Sequence, residues 1–308
     1  MNNKHLICGV LCLGGIAGVA NAADAVTVEY PSVKIGGRIE ARAENRDSEI
    51  QDLSRARVNI AGESKITDTI SGIAFFEEEF KKDLNKTRYL YAGVKAEVGD
   101  GEALLVYGKT KGSMGVVTDF TDIQAFYGAV ASDKFKVGKR VANSIAATYS
   151  NTTGTLFCAN YASAEGTESG AFDGGYSVGL SQKIGDTGLS AGIGYAKQSA
   201  VQKKDSTQFD VALGYQVDKV YVGALYSEQT VKGKKAQGYD IATSYKIDST
   251  YKATLGFGEL HFEDGDSTRA VNADITAKLT KQFRTYVAVN FDTVNNEMQE
   301  AVGIRFDF

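Results

Sequence analysis

Few side chains in this sequence have the type and spacing needed for catalysis or metal binding. Only one histidine, His261, lies beyond residue 22, and no serine or cysteine motif accompanies it. It lies beside the acidic run 263–266, which we interpret, with its histidine, as a polar loop. Cys158 is also single in this part of the chain, and a small residue of a protein wall is a simpler interpretation of it than a catalytic thiol. We therefore expect no active site, no metal site and no cofactor.

The arginines have a spacing that indicates electrostatic rather than covalent chemistry. In residues 33–44 the apolar side chains occupy odd positions, whereas Arg38, Glu40 and Arg42 occupy even ones. In residues 53–66, Arg57 alternates in the same way with Val58. A β-strand places alternate residues on opposite faces, so Arg38 and Arg57 are predicted to lie on charged faces. Charges that line a water-filled passage influence which ions cross it.

The elements that carry these arginines repeat along the chain. Each is a segment of alternating polarity, followed by a short polar or glycine-rich turn or by a longer connection. The last segments are the most regular: Val302, Ile304 and Phe306 alternate with Gly303 and Arg305. Sixteen such segments lie between residues 33 and 308. Strands of about ten residues are long enough to cross a bilayer at the tilt of a barrel.

The polarity of these segments distinguishes between all-β folds. Charged residues recur on the second face of strand after strand, so that face cannot form the core of a soluble sandwich. No run of 18 apolar residues follows residue 22, which excludes a helical membrane span. Aromatic residues near segment ends suit the girdles of a membrane barrel: Tyr215, Tyr221, Tyr245, Tyr251, Phe283, Phe291 and Phe308. The sequence therefore predicts an all-β fold, a 16-stranded antiparallel transmembrane β-barrel with both termini on one rim.

The stretch 112–133 is the one place where this repeat is interrupted. It contains the apolar residues Val116, Val117, Phe120, Ile123 and Phe126, which are unfavourable in a fully exposed connection. We therefore expect this third extracellular loop to fold inward and to narrow the barrel.

Residues 1–22 have the features of a secretory signal peptide that is cleaved after Ala22. Lys4 precedes an apolar run, and the small residue Ala20 also lies near the predicted cleavage site. Removal takes one basic residue and no acid, which changes the formal charge from −4 to −5. That weakly acidic balance argues against a nucleic-acid partner. Residues 23–308 are then predicted to form a single barrel domain in a Gram-negative outer membrane.

Several motifs resemble the general porins of enterobacterial outer membranes, which are sixteen-stranded and usually trimeric. Residues 57–63 (RVNIAGE) are similar to the second-strand signature, and residues 86–88 (KTR) with 92–95 (AGVK) to the fourth strand. Residues 107–109 (YGK) resemble the fifth strand, and residues 120–122 (FTD) resemble the core of the constriction loop. Phe308 matches the terminal aromatic residue that the outer-membrane insertion machinery reads. The resemblance spans the mature chain and is most specific between Arg57 and Asp122.

This resemblance implies a set of pore residues. In the family, acids on the third loop face basic residues on the opposite wall of the channel. The wall positions correspond to Arg38, Arg57, Lys86 and Arg88, and one more to either Lys139 or Arg140. The alternation of polar and apolar residues supports the placement of Arg38 and Arg57 on the charged face. For Arg88 it does not, because the residues of the same parity are apolar: Leu90, Ala92 and Val94.

On the loop, Asp122 matches the family acid. A second family acid is missing, because the sequence has Ala125-Phe126 at its place, and Asp119 could partly substitute for it. With fewer loop acids, we expect a weaker cation preference than is usual in the family.

The implied function is passive diffusion of ions and small hydrophilic solutes through a water-filled channel, filtered by size and charge at the third loop. The implied partners are those solutes, outer-membrane lipid or lipopolysaccharide, further copies of the chain in a homotrimer, and the insertion machinery. Two alternatives stay open: a barrel enzyme of the lipase or protease type, and an adhesin or receptor barrel without an open channel.

Overall fold

The computed structural model describes residues 31–308 except 83, 129, 132, 164–171, 201–202, 232 and 266. The predicted signal peptide, residues 1–22, lies outside the described residues. The described chain is nearly all β-structure, with one short helix, α1 (Gly115–Thr118), and a 3₁₀ turn at Lys136–Gly138. Within these described ranges, no helix has the length and apolar character needed to cross a membrane.

The described residues form seventeen strands in one antiparallel sheet. They are β1 (Ser32–Arg46), β2 (Glu49–Asp52), β3 (Arg55–Lys65), β4 (Ile70–Lys81), β5 (Asn85–Val98), β6 (Gly101–Lys111), β7 (Arg140–Asn151), β8 (Thr155–Ser163), β9 (Phe172–Lys183), β10 (Leu189–Ala200), β11 (Lys203–Val217), β12 (Val220–Val231), β13 (Lys234–Lys246), β14 (Tyr251–Phe262), β15 (Ser267–Lys278), β16 (Phe283–Asp292) and β17 (Glu297–Asp307).

Strands β2 and β3 are two parts of one barrel strand. Both pair with β1 in the same register, in which Ala43 lies opposite Asp52 and Glu40 lies opposite Arg55. Only two residues, 53 and 54, separate them. The described chain therefore forms a barrel of sixteen strands, which confirms the predicted fold class.

Strands β1 and β17 close the barrel. Their pairing runs from Arg38 opposite Asp307 to Arg46 opposite Gln299. Next to it, backbone hydrogen bonds of 2.9 and 3.1 Å join Gly37 and Phe308. Along this paired length, closure removes the sheet edge on which N–H and C=O groups would otherwise stay unpaired. We call the rim that holds these ends the terminal rim, and the opposite rim, where the third loop begins, the loop rim.

The outer face of the barrel is apolar, and the inner face is polar. Val287 and Val302 on the outer face are more than half exposed, whereas their strand neighbours Ala288 and Gly303 are buried. On the inner face, Asp210 and Asp240 are almost completely buried. An apolar outer band and a polar interior are the arrangement of a barrel that spans a membrane.

Tyr221 is an exception to the predicted aromatic girdle. Its hydroxyl donates a hydrogen bond of 2.8 Å to the carbonyl of Phe120 inside the barrel. Strand parity is the reason, because Gly223 and Leu225, two and four residues further along, also face inward and are buried. Other predicted girdle residues are exposed: Tyr215, Tyr245, Tyr251, Phe291 and Phe308.

Candidate functional site

The third loop connects β6 to β7, over residues 112–139, and its described residues lie inside the barrel. Its apolar side chains pack on the inner wall: Met114 and Val137 form one buried cluster with Ala196, and Val117 forms another with Leu225. These side chains avoid water by packing on the wall, as their apolar character requires. The predicted inward fold of residues 112–133 is confirmed.

Polar side chains of the wall hold the backbone of this loop. Asp240 Oδ1 accepts hydrogen bonds from the N–H groups of Val130 and Ala131, at 3.0 and 2.9 Å. Asp274 Oδ2 accepts the N–H of Ala125 at 3.0 Å. Three further bonds of 2.8 to 3.1 Å join Asn160 to Val137, Phe135 to Gln208 and Tyr221 to Phe120. The loop is thus anchored from strand β8 round to strand β15.

Inward-facing glycines give the loop its space against the wall. A Cβ atom at Gly194 would lie 3.0 Å from Val117 Cγ2 and 3.1 Å from Met114 Sδ. One at Gly214 would lie 3.0 Å from the ring of Phe120. Such contacts are closer than ordinary van der Waals packing, so any larger side chain at these positions would displace the loop.

The two predicted loop acids lie near lysines, one at the end of β6 and one in the loop. Asp119 forms an ion pair of 3.1 Å with Lys111, and both side chains are more than half exposed. Asp122 is exposed, and its charge acts on Lys134, whose ammonium donates to Thr118 Oγ1 at 2.6 Å. Burial lowers the pKa of Lys134, and the carboxylates of Asp122 and Asp119 act in the opposite direction.

The predicted wall arginines are paired with glutamates of the same wall. Arg57 Nε donates to Glu79 Oε2 at 2.6 Å, and Arg88 Nε donates to Glu77 Oε1 at the same distance. Glu79 also lies 3.5 Å from a guanidinium nitrogen of Arg55 and 3.6 Å from one of Arg88. One carboxylate therefore contacts three arginines.

A β-bulge explains the parity of Arg88. The pairing of β4 with β5 passes from Glu77 opposite Tyr89 to Glu78 opposite Thr87, which leaves Arg88 as the extra residue. A bulge changes the face to which the following residues point. Arg88 therefore joins the charged wall, although Leu90, of the same parity, is exposed on the outer face.

Arg38 and Lys86 lie at opposite sides of this cluster. Arg38 faces Arg57 across one strand pair and Asp307 across the other. Its Nε is buried and makes no hydrogen bond within the described part of the chain. Lys86 lies opposite Glu79 in the strand register, and its side chain is exposed.

Lys139 and Arg140, the two alternatives for the last basic position, have different surroundings. Lys139 forms an ion pair of 2.6 Å with Asp133 of the loop. The guanidinium of Arg140 lies 5.4 Å from the centre of the Tyr89 ring, and its charge acts on Arg88. Arg140 therefore lies with the wall arginines, and Lys139 lies with the loop.

The loop also reaches strand β1, where the sequence departs from the family pattern. The ring of Phe126 lies 5.0 Å below the guanidinium of Arg42. Burial and the carboxylate of Glu44 raise the pKa of the neighbouring Tyr127. An aromatic contact to the wall thus occupies the place of the missing acid.

The site contains residues that the sequence reasoning did not single out. The glutamates Glu40, Glu77 and Glu79 neutralise much of the arginine wall, and Lys134 stands beside the loop acids. A signal was available for Glu40, because it shares the even face of residues 33–44 with Arg38. No local signal identifies Lys134, since its neighbours are brought together only by the folded loop.

The side chains considered for catalysis are not brought together. His261 lies in strand β14 rather than in a polar loop, opposite Gln237 and Ser267, which corrects the interpretation of this segment. Cys158 pairs with Thr148 in the strand register, as a wall residue would. Among the described residues, no group of three His, Cys, Asp or Glu side chains could hold a metal ion.

Known proteins share both this fold and this sequence pattern. Among solved structures, Salmonella typhi OmpF in complex with daunomycin has a TM-score of 0.77 at 16% identity, over 90% of this chain and 97% of that one. The trimer form of in-vitro folded OmpT from Vibrio cholerae has a TM-score of 0.72 at 15% identity, over 91% of this chain and 100% of that one.

Sequence relatives are more similar. Porin-like protein L of Photobacterium profundum is 33% identical over 99% of this chain and 100% of its own length. Outer membrane protein U of Vibrio parahaemolyticus is 31% identical over 99% of both chains. The family model for Gram-negative porins matches residues 9–297. Together with the closed barrel and its internal loop, these matches show that the chain belongs to the Gram-negative porin family and is a channel of the outer membrane.

Proposed function

We propose that this porin is a weakly ion-selective diffusion channel, whose third loop sets the size and charge filter for ions and small hydrophilic solutes. The observation that carries this proposal is the loop itself, held inside a closed barrel by wall side chains. A loop fixed at this depth reduces the cross-section available to solutes.

The selectivity is proposed to be weak because most charges at the constriction have a partner of opposite sign. Arg55, Arg57 and Arg88 contact glutamates of the wall, and Asp119 contacts Lys111. Paired charges produce a smaller field in the lumen than isolated ones. Asp122 is the exposed loop acid with most influence on passing ions, in opposition to Arg38 and Lys86.

We also propose that the chain is exported with cleavage after Ala22 and functions as a homotrimer in contact with lipid and lipopolysaccharide. Family membership supports trimeric assembly, and the exposed Phe308 supports recognition by the insertion machinery. We propose that the protein is a channel and not an enzyme. The separation of His261 from other candidate catalytic groups supports that part of the proposal.

Single-channel recording in a planar bilayer under a salt gradient tests the channel and its filter together. The Asp122→Ala variant is compared with Asp186→Ala, which removes the same charge from a turn of the terminal rim. We expect stepwise conductance in threes, and a reversal potential that shifts toward anions only for Asp122→Ala.

Three results would contradict parts of this proposal. Absence of conductance in a folded barrel would overturn the channel and favour an adhesin or enzyme. Equal shifts of the reversal potential in both variants, or no shift in either, would show that Asp122 is not part of the charge filter. Single conductance steps would contradict the trimer.

A further inference from the structure

A cavity of about 540 Å³ lies between the third loop and the terminal rim. Residues 123–125 of the loop line one side of it, and the turn between β13 and β14 lines another. Five basic side chains also line the cavity: Lys246, Lys252, Lys278, Arg284 and Arg305. None of them belongs to the arginine wall described above.

These five residues form two groups of direct cross-strand neighbours. Lys246 lies opposite Lys252, and Arg284 lies opposite both Lys278 and Arg305. Like charges that face each other directly across strands destabilise a sheet. Three such pairs on five successive strands therefore form an unfavourable arrangement unless an anion lies between them.

The protein compensates only part of this positive charge. Asp307 contacts two members of the group, at 3.1 Å from Arg284 and 2.6 Å from Arg305. Within the described part of the chain, the three lysines have no carboxylate oxygen within 4.0 Å. Lys252 donates instead to the carbonyl oxygen of Ile123, at 3.3 Å.

Two carboxylates, Glu40 and Asp248, also line the cavity, and Asp274 lies near it, but each of them accepts hydrogen bonds from groups other than the three lysines. Glu40 binds Arg55 at 2.6 Å and the hydroxyl of Tyr286 at 3.0 Å. Asp248 accepts two backbone N–H groups of its own turn, and Asp274 accepts that of Ala125. The cavity thus retains an excess of positive charge inside a restricted space, where attraction to anions is stronger than at an open surface.

We propose that this cavity is a binding subsite for small multivalent oxyanions, such as phosphate, oligophosphate or polycarboxylate groups. The proposal rests on the diffusion function above, because the ligand reaches the cavity through the lumen. Guanidinium and ammonium groups are the donors that bind such oxyanions best. All five side chains share the inward parity of their strands, so the headgroups of surrounding lipid do not reach them.

The test measures transient blockade of single-channel current by inorganic tripolyphosphate and by citrate, added from each side of the bilayer. The test variant is Lys246→Gln with Lys278→Gln, which leaves the loop contact of Lys252 intact. The matched control is Lys235→Gln with Lys281→Gln, which removes the same charge from exposed rim positions outside the cavity. Arg284→Lys tests the contribution of the planar guanidinium.

We expect the concentration for half-maximal block to rise about tenfold or more in the test variant, as loss of two charges near a multivalent anion predicts. The control should remain within about twofold of the unmodified channel. The reversed variant, Lys246→Glu with Lys278→Glu, should lose the block completely. Tripolyphosphate should also raise the unfolding temperature of the unmodified protein but not of the test variant.

Two results overturn this subsite. One is normal conductance without any block, and the other is equal weakening of the block in the test and control variants. Either result would leave the diffusion function intact, because that function is measured in potassium chloride without these anions. Loss of conductance in potassium chloride would instead contradict the proposed function itself.

Discussion

Glu79 forms more ion pairs than the other glutamates of the arginine wall. It lies among Arg55, Arg57 and Arg88 and is almost completely buried. Lys81 lies 3.4 Å from its other oxygen, so a single carboxylate offsets four cations, and its removal changes the field of the whole wall. The sequence alone does not distinguish Glu79 from its neighbours Glu77 and Glu78.

We predict that Glu79→Gln shifts the reversal potential toward anion preference. The uncharged amide leaves the three arginines without one of their counter-ions, and the loss of a charge-assisted bond should lower the free energy of unfolding by about 1–3 kcal/mol. Salt-gradient recordings and thermal unfolding in detergent measure the two effects. Glu49→Gln, on the exposed strand β2, serves as the control for charge alone. An equal shift in the control would show that Glu79 has no special role.

Lys134 provides a test by pH. Burial lowers its pKa below the ordinary lysine value of 10.5. As pH rises, Lys134 therefore loses its proton before ordinary lysines, and one positive charge disappears beside Asp119 and Asp122. We expect the channel to become more cation-preferring over this alkaline range. The Lys134→Met variant should already show this preference at neutral pH and lack the transition. A transition that persists in this variant would assign it to another group.

At the scale of elements, the loop and the wall are complementary in hydrogen bonding and in packing. The loop supplies backbone N–H groups and apolar side chains, and strands β8 to β15 supply acceptors and glycines. Each buried N–H of the loop would cost free energy without its acceptor. The position of the constriction is thus a property of the interface and not of the loop alone.

We predict that Gly194→Leu displaces helix α1 from the wall toward the lumen. The new side chain would occupy the space of Val117 and Met114, at a cost of about 1–3 kcal/mol, and single-channel conductance should fall. Gly62→Leu is the matched control, because a Cβ atom at Gly62 meets nothing within 4 Å. Unchanged conductance in Gly194→Leu would mean that the wall adapts around the loop.

At the scale of the whole molecule, the two faces of the barrel lie in environments of opposite polarity. Lipid contacts the outer face, and water fills the lumen, so one charge should have different effects on neighbouring positions. Strand β16 offers such a pair, with Val287 outside and Asn290 inside, where it bonds to Gln299 at 3.1 Å.

We predict that Val287→Lys destabilises the folded barrel by about 2–4 kcal/mol, because it places a charge near the middle of the lipid-facing surface. Asn290→Lys should fold nearly as well as the unmodified chain and mainly alter ion preference. Folding into lipid vesicles, followed by gel mobility before and after heating, measures both. Similar folding losses for the two variants would contradict the assigned orientation.

The sequence by itself determined the barrel. The alternation of polar and apolar residues has a period of two, so it can be recognised within each strand without knowing which strands are neighbours. It indicated sixteen strands, the inward third loop and the charged face that holds Arg38 and Arg57. The tertiary structure alone decided which charges meet. The pairing of Glu79 with three arginines, the bulge at Arg88 and the row of cations from Lys246 to Arg305 depend on the register between strands. Register is set by the packing of whole strands and turns, so residues far apart in sequence become neighbours only in the closed barrel.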